Sequence, residues 1–348
     1  MTKPQQTDSS TPQRSPDWWI YHGYGTVQRL ESPPTLPPAP PWRRFRGSLP
    51  EPARVLPPET DEQRGAGYQA SDEERELVNM ALYLRRPLMI TGRPGSGKST
   101  LAYAIAYELR LGPVLRWSIT TRSTLAEGLY QYDAIGRLQE ASLPESNDDI
   151  GNYIRLGPLG TALLPSAHPR VLLIDEIDKS DIDLPNDLLN VFEEGEFLIP
   201  ELTRLSEQQQ QVLVYPADGD ERVPIERGHV LCHEFPLVVM TSNGERDFPP
   251  AFLRRCLRHT IQQPDKAKLA RIVDARLNTG DGLDEAQQAT IRQLIERFHT
   301  RREKHDRQEL ATDQLLNAVH LLLQGVNPLE YKQLLDIVFK PLDNMDQT

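Results

Sequence analysis

The sequence predicts an α/β protein: a parallel-sheet core, a small helical domain behind it and a proline-rich arm in front. Three observations carry this. Short apolar runs at 87–91, 171–175 and 236–243 read as strands covered on both faces, with helical patterns between them. After about Gln262 only helical patterns remain. Before about residue 66 the composition belongs to neither part: residues 1–58 hold 13 of the 30 prolines and three of the four tryptophans, Trp18, Trp19 and Trp42.

Within the arm, residues 1–16 are polar and read as disordered. Residues 17–25, DWWIYHGYG, are an aromatic cluster, and 32–47 read as extended polyproline. The arm is either a linker or a docking element, since Trp, Tyr and Phe are costly to leave in water. Its surface could lie on this chain, a neighbouring copy or a separate partner.

The core elements follow in order. Acids at the start of 72–86 and arginines at its end suit a helix dipole. PLMIT (87–91) is a strand, 92–99 a glycine-rich turn, and 100–110 a helix with Leu101, Ile105 and Leu109 on one face. A second strand is expected at 114–120. VLLID (171–175) is a buried strand, 184–197 a helix ending at Gly195, and 236–243 another strand. In the long stretch 203–235, VLVY and DERVPIE pair as a hairpin around ADGD, facing a pore or client, or else a plain surface excursion. Helices are expected at 266–277, 284–302, 311–325 and 328–339. The domains are then 1–65 (arm), 66–262 (α/β) and 263–348 (helical).

Charge and cysteine content exclude several classes. Net charge is −11, and because the arm is basic the remainder carries −14, a poor surface for sequence-blind nucleic-acid binding. Cys232 and Cys256 are too few for a disulfide framework or zinc cage, and the histidines show no metal-ligand spacing. With no apolar leader and no run of about 18 apolar residues, a cytoplasmic protein without a membrane span is expected.

Four elements carry chemistry. Gly92-Arg93-Pro94-Gly95-Ser96-Gly97-Lys98-Ser99, followed by Thr100, fits G-x-x-x-x-G-K-[ST], the phosphate-binding loop of P-loop NTPases. Its backbone N–H groups cradle phosphates, Lys98 reaches the β- and γ-phosphates, and Ser99 ligates Mg²⁺. Asp175 and Glu176 end an apolar strand 77 residues after Lys98. Asp175 is placed to hold Mg²⁺, and Glu176 to act as general base on water. Asn243, at the tip of the strand after 236, would sit beside Glu176 if the strands are neighbours, and would orient that water. Arg254 or Arg255, in FPPAFLRRC, is a candidate for an arginine supplied to the γ-phosphate from a neighbouring chain.

The order GRPGSGKST, LLIDEID, VVMTSNGERDFPPAFLRRC and then a helical domain resembles the AAA+ ATPases. Within them it is similar to the MoxR group, through RLGPLGTALL (155–164), LLNVFEEGEF (188–197) and FPPAFLRRC. The resemblance covers roughly 66–340. It implies ATP and Mg²⁺, a homo-oligomer in a hexameric ring with ATP between subunits, Arg255 acting in trans, and the helical domain as a lid. It also implies a hairpin inserted in the second helix, within 129–158. One departure stands out: the group's lid arginine is missing from Leu310-Ala-Thr-Asp313-Gln314, so a second sensor is absent or moved to Arg301, Arg302 or Lys304. Remodelling or assembly of an unidentified protein client or adaptor is the function implied, with the arm around Trp18, Trp19 and Trp42 as recruiter. The alternative is a nucleotide-dependent signalling or defence switch with little turnover. A metabolic P-loop kinase is disfavoured by Asn243 and the helical domain, and a nucleic-acid translocase by the −14 body.

Overall fold

The structure, a computed structural model, describes residues 16–25, 29–51, 54, 56–57, 62–141, 149–205, 210–277, 283–304 and 310–340. The expectation of disorder for the first 15 residues lies outside these.

A short helix α1 (Glu62–Gly65) precedes α2 (Asp72–Leu84). Ser71 and Glu74 close a capping box at the start of α2, with Ser71 Oγ accepting from Glu74 N at 3.2 Å and Glu74 Oε2 from Ser71 N at 2.7 Å. The helix stops earlier than the arginines suggested. Arg85 is its left-handed cap, at φ 53°, and turns its guanidinium onto Pro37 O of the arm (2.9 Å) and Glu234 (3.0 Å). β1 (Leu88–Thr91) follows, then α3 (Lys98–Leu109), which begins two residues before the expected start, so Lys98 and Ser99 form its first turn.

β2 (Leu115–Ser118) leads to α4 (Leu125–Leu129), β3 (Tyr130–Tyr132), α5 (Ala134–Ala141), β4 (Ile154–Leu156) and α6 (Pro158–Ala162). β3 and β4 pair antiparallel while α4 packs on α6, so one helical layer is split by a hairpin within the expected range 129–158. Residues 142–148 of that range are outside the described set.

Next come β5 (Val171–Asp175), α7 (Leu184–Glu194), β6 (Glu196–Leu198), α8 (Pro200–Thr203), β7 (Gln211–Val214), β8 (Val223–Glu226) and β9 (His229–Leu231). The expected hairpin is present as β7 and β8, but it belongs to a four-stranded sheet of order β6-β9-β8-β7. Val212, Val214, Val223 and Ile225 point into the main core, so this stretch is part of the fold's packing.

β10 (Leu237–Ser242), α9 (Pro250–Leu253) and β11 (Leu257–Thr260) complete the α/β part. The five-stranded sheet is wholly parallel, in the order β11-β1-β10-β5-β2. β5 and β10 are buried at every residue, as continuous apolar runs require under helices on both faces. β11 was not foreseen: LRHT is short and half exposed, and only pairing with β1 makes it a strand.

Four helices follow among the described residues: α10 (Lys266–Leu277), α11 (Glu285–Lys304), α12 (Thr312–Leu323) and α13 (Lys332–Val338). Leu269, Leu294, Phe298, Leu315, Val319 and Phe339 form a core of their own.

The described arm lies on the α/β part. Tyr21 is 1% exposed and joins Tyr68, Val78 and Leu82 in the core. Buried Asn79 of α2 accepts from Ile20 N (2.6 Å) and Tyr21 N (2.9 Å) and donates to Tyr21 O (2.7 Å). Glu108 of α3 accepts from His22 N (2.6 Å) and Tyr24 N (3.0 Å). Farther on, the extended path is broken by a 3-10 turn at Pro41–Arg43. Of the three arm tryptophans, Trp19 is buried on this chain, Trp18 is partly exposed, and Trp42 is 76% exposed.

Candidate nucleotide-binding site

In an open parallel sheet, ligands bind beyond the carboxyl ends of the strands. β1, β5 and β10 are neighbours, and all three candidate segments leave from that end. The loop after β1 has left-handed backbone at Gly95 (φ 70°) and Gly97 (φ 94°), where a side chain is strained. Gly95 is needed on a second count, because a Cβ there would lie 2.4 Å from Ala311 Cβ of the C-terminal helical region. Lys98 is buried, and its Nζ donates to Gly92 O (2.7 Å), Arg93 O (3.0 Å) and Asn243 Oδ1 (2.8 Å). The ammonium is thus aimed back over the loop that would cradle phosphate.

Asp175 is the hub. Its Oδ1 accepts from Ser99 Oγ (2.6 Å) and Thr241 Oγ1 (2.8 Å), and its Oδ2 from Arg116 Nη2 (2.6 Å). Burial alone would raise its pKa, but the bonds from Ser99, Thr241 and Arg116 outweigh it, and Asp175 is held below the usual carboxylate range. A hydroxyl and an ionised carboxylate side by side are oxygen donors of the kind Mg²⁺ takes, together with phosphate oxygens and water. Among the described residues no group of three or more His, Cys, Asp or Glu could hold a metal.

Glu176 has a left-handed backbone, φ 62°, uncommon for a non-glycine residue. Its N–H donates to Thr241 Oγ1 at 2.9 Å, which pins the turn to β10. Thr241 therefore serves both acids, donating to Asp175 and accepting from Glu176 N. The Glu176 carboxylate is half exposed and pairs with Lys179 Nζ at 2.7 Å. Asn243 is held by its own N–H, which donates to buried Asp178 Oδ2 at 2.8 Å. The strands β5 and β10 are neighbours, as the expectation for Asn243 required, yet its side-chain oxygen is engaged by Lys98.

Arg254 and Arg255 lie at the other end of the sheet. They precede β11, whose Leu257 is in register with Leu88 at the start of β1, and Leu257 N donates to Pro87 O at 2.8 Å. Four residues of strand, about 13 Å at ~3.3 Å each, separate that edge from the phosphate loop, so the structure does not bring them to their own chain's site. Arg254 is exposed. Arg255 Nε donates to Glu193 Oε1 of α7, and its Nη1 to Ala251 O at 3.1 Å.

The C-terminal helical region closes the third side. A cavity of about 290 Å³ is lined by Tyr68, Gln69, Ser96, Lys268 and Asp313, among others. The start of α12, where the resemblance called for an arginine, presents Thr312 and Asp313 to it. Of the displaced candidates, Arg301 faces away and pairs with Asp336 at 2.9 Å. Arg302 is buried and donates to Pro264 O. Burial lowers its pKa, Glu303 opposing and Arg93 adding to this, and its acceptor residue Pro264 lines the same cavity. The side chain of Lys304 lies outside the described set.

Arg116, Asp178 and Lys179 were not foreseen. Arg116 carried one faint signal, a charged residue at an alternating position of a strand. Asp178 and Lys179 lie just past the strand end, where no motif spacing marks them.

Residues 87–256 match the family model described as the AAA domain of the dynein-related subfamily. No curated protein matches the chain. With the parallel order β11-β1-β10-β5-β2, the strand–loop–helix at Gly92–Ser99 and the helical region that follows, the fold is that of a P-loop AAA+ domain. A domain of this class implies nucleotide binding and ATP-dependent activity. No helix among the described residues is long and apolar enough to cross a membrane.

Proposed function

We propose that the protein is a Mg²⁺-dependent ATPase of MoxR-like type, working as a homo-oligomeric ring, hexameric by family expectation, that remodels or assembles a protein partner. The observation that carries this is the convergence of Lys98, Ser99, Asp175, Thr241, Glu176 and Asn243 at one sheet edge while Arg254 and Arg255 stand at the opposite one. Such a chain has most of a hydrolytic site, and a head-to-tail neighbour would add Arg254 or Arg255 to it.

In this reading the backbone N–H groups of 92–98 and Lys98 bind the phosphates. Bound Mg²⁺ would neutralise phosphate charge, held by Ser99 and Asp175. Glu176, released from Lys179, takes the proton of the attacking water. Asn243 orients the reacting groups, and Arg255 stabilises charge developing on the neighbour's γ-phosphate.

Mixing inactive chains tests this. Glu176→Gln and Arg255→Ala should each hydrolyse no ATP alone and regain part of the activity together, because one mixed interface holds an intact base and an intact arginine. No recovery in any mixture, or a monomer's mass both with and without ATP, overturns the ring reading.

One observation favours a second reading, a nucleotide-dependent switch with little turnover: Asp313 stands where a lid arginine was expected. Absence of hydrolysis by the assembled wild type, with tight ATP binding, decides for the switch.

A further inference from the structure

The arm reaches the edge of the molecule that carries Arg254 and Arg255. Trp42, Arg43, Arg86, Glu193 and Arg255 line one small cleft there. Arg43 is only 7% exposed, an unusual burial for an arginine. Its Nη1 donates to Phe192 O (2.6 Å) and Glu193 O (3.4 Å), and its Nη2 to Arg85 O (2.6 Å). Those carbonyls end two helices, α7 and α2, where backbone acceptors lack intrahelical partners and a cation is favoured. The guanidinium also lies over the rings of Phe235 (4.7 Å) and Phe45 (5.1 Å).

Glu193 connects this anchor to Arg255. Its Oε2 lies 3.8 Å from Arg43 Nη1, and its Oε1 accepts from Arg255 Nε. Of the five N–H groups of a guanidinium, Glu193 and Ala251 O take two from Arg255. Three are left to serve an anion, and the Nε bond fixes the direction in which they point. Without Arg43, the carbonyls of Phe192 and Glu193 lose their buried donor, the end of α7 loosens, and Glu193 no longer holds Arg255 in one orientation.

We infer that Arg43 of the N-terminal arm is a positioning residue for Arg255, acting through Glu193, so that the arm must be docked for a chain to serve its neighbour's nucleotide. This rests on the proposed role of Arg255 in trans.

The test uses full-length Arg43→Met and Glu193→Gln, with Arg255→Ala and Lys98→Ala for reference. In both positioning variants kcat should fall about 10- to 100-fold, the scale of a misplaced group, while KM and ATP affinity stay within about twofold. Mixing separates positioning from simple damage. Arg43→Met should regain turnover with Lys98→Ala, which lends it an intact arginine, and should not regain it with Arg255→Ala. Glu193 is 41% exposed, so Glu193→Gln carries the test if Arg43→Met fails to fold. Wild-type kcat in Glu193→Gln, or equal recovery with both reference variants, overturns the inference while an inactive Arg255→Ala leaves the role of Arg255 standing. An active Arg255→Ala instead overturns that role itself.

Discussion

Lys98 and Asn243, 145 residues apart, share a hydrogen bond of 2.8 Å from ammonium to amide oxygen. The bond ties the phosphate loop after β1 to the tip of β10. Under the proposed function, Asn243 is thereby in direct contact with the group that holds phosphate. Lys98→Ala should abolish ATP binding in a calorimetric titration, and retained affinity would refute the loop's role. Asn243→Ala should keep ATP affinity and lose turnover by about 100-fold, in the range of a lost proton-transfer or orienting group.

The arm is fastened at Asn79, whose side chain makes three hydrogen bonds to Ile20 and Tyr21. Asn79→Ala leaves those backbone groups buried and unpaired, at about 1–3 kcal/mol each if no other partner is found. Limited proteolysis should then cut within residues 16–50 faster than in the wild type. Equal protection would show that the aromatic contacts alone hold the arm.

A buried cluster sets an acid limit on stability. Burial raises the pKa of Asp218, but Arg170 and Arg54, both bonded to it, outweigh that and hold it below the ordinary carboxylate range. The unfolded value is about 3.9. A depressed carboxylate contributes its full stabilisation above that pH and loses it as pH falls through the lower folded value. Asp218→Asn should therefore cost about 3–5 kcal/mol at pH 7, as for a broken buried pair, and should flatten the loss of stability below about pH 4. A thermal-unfolding series from pH 3 to 7 reads both, and an undiminished acid slope in the variant contradicts the assignment.

Cys232 and Cys256 are both buried, and burial pushes each thiol up to about 12. Neither should react with iodoacetamide at pH 8 in the folded protein, and both should react in denaturant. Mass spectrometry counts the adducts, and rapid labelling of the native chain would be the contrary result.

The glycine-rich loop, the acidic strand end and the long C-terminal helices were legible because each is written in contiguous residues. The periods of strands and helices and the spacing of a glycine loop do not depend on distant partners. α10 begins and ends where its apolar pattern does. Helix ends were less legible: Arg85 reads as a last-turn arginine and is a left-handed cap turned toward the arm and Glu234.

By itself, then, the sequence determined where the glycine loop with Lys98 lies and which carboxylates end a buried strand. Tertiary structure decided what those residues touch. Strand order put Thr241 between Asp175 and Glu176, and Arg116 on Asp175. It put Arg255 at the far edge of the sheet, bonded to Glu193, and carried Arg43 of the arm to the same carboxylate. The physical reason is range. Backbone preference and side-chain period act over a few residues, whereas burial and pairing of charge act between whichever groups the sheet and its covering arm bring within a few ångströms.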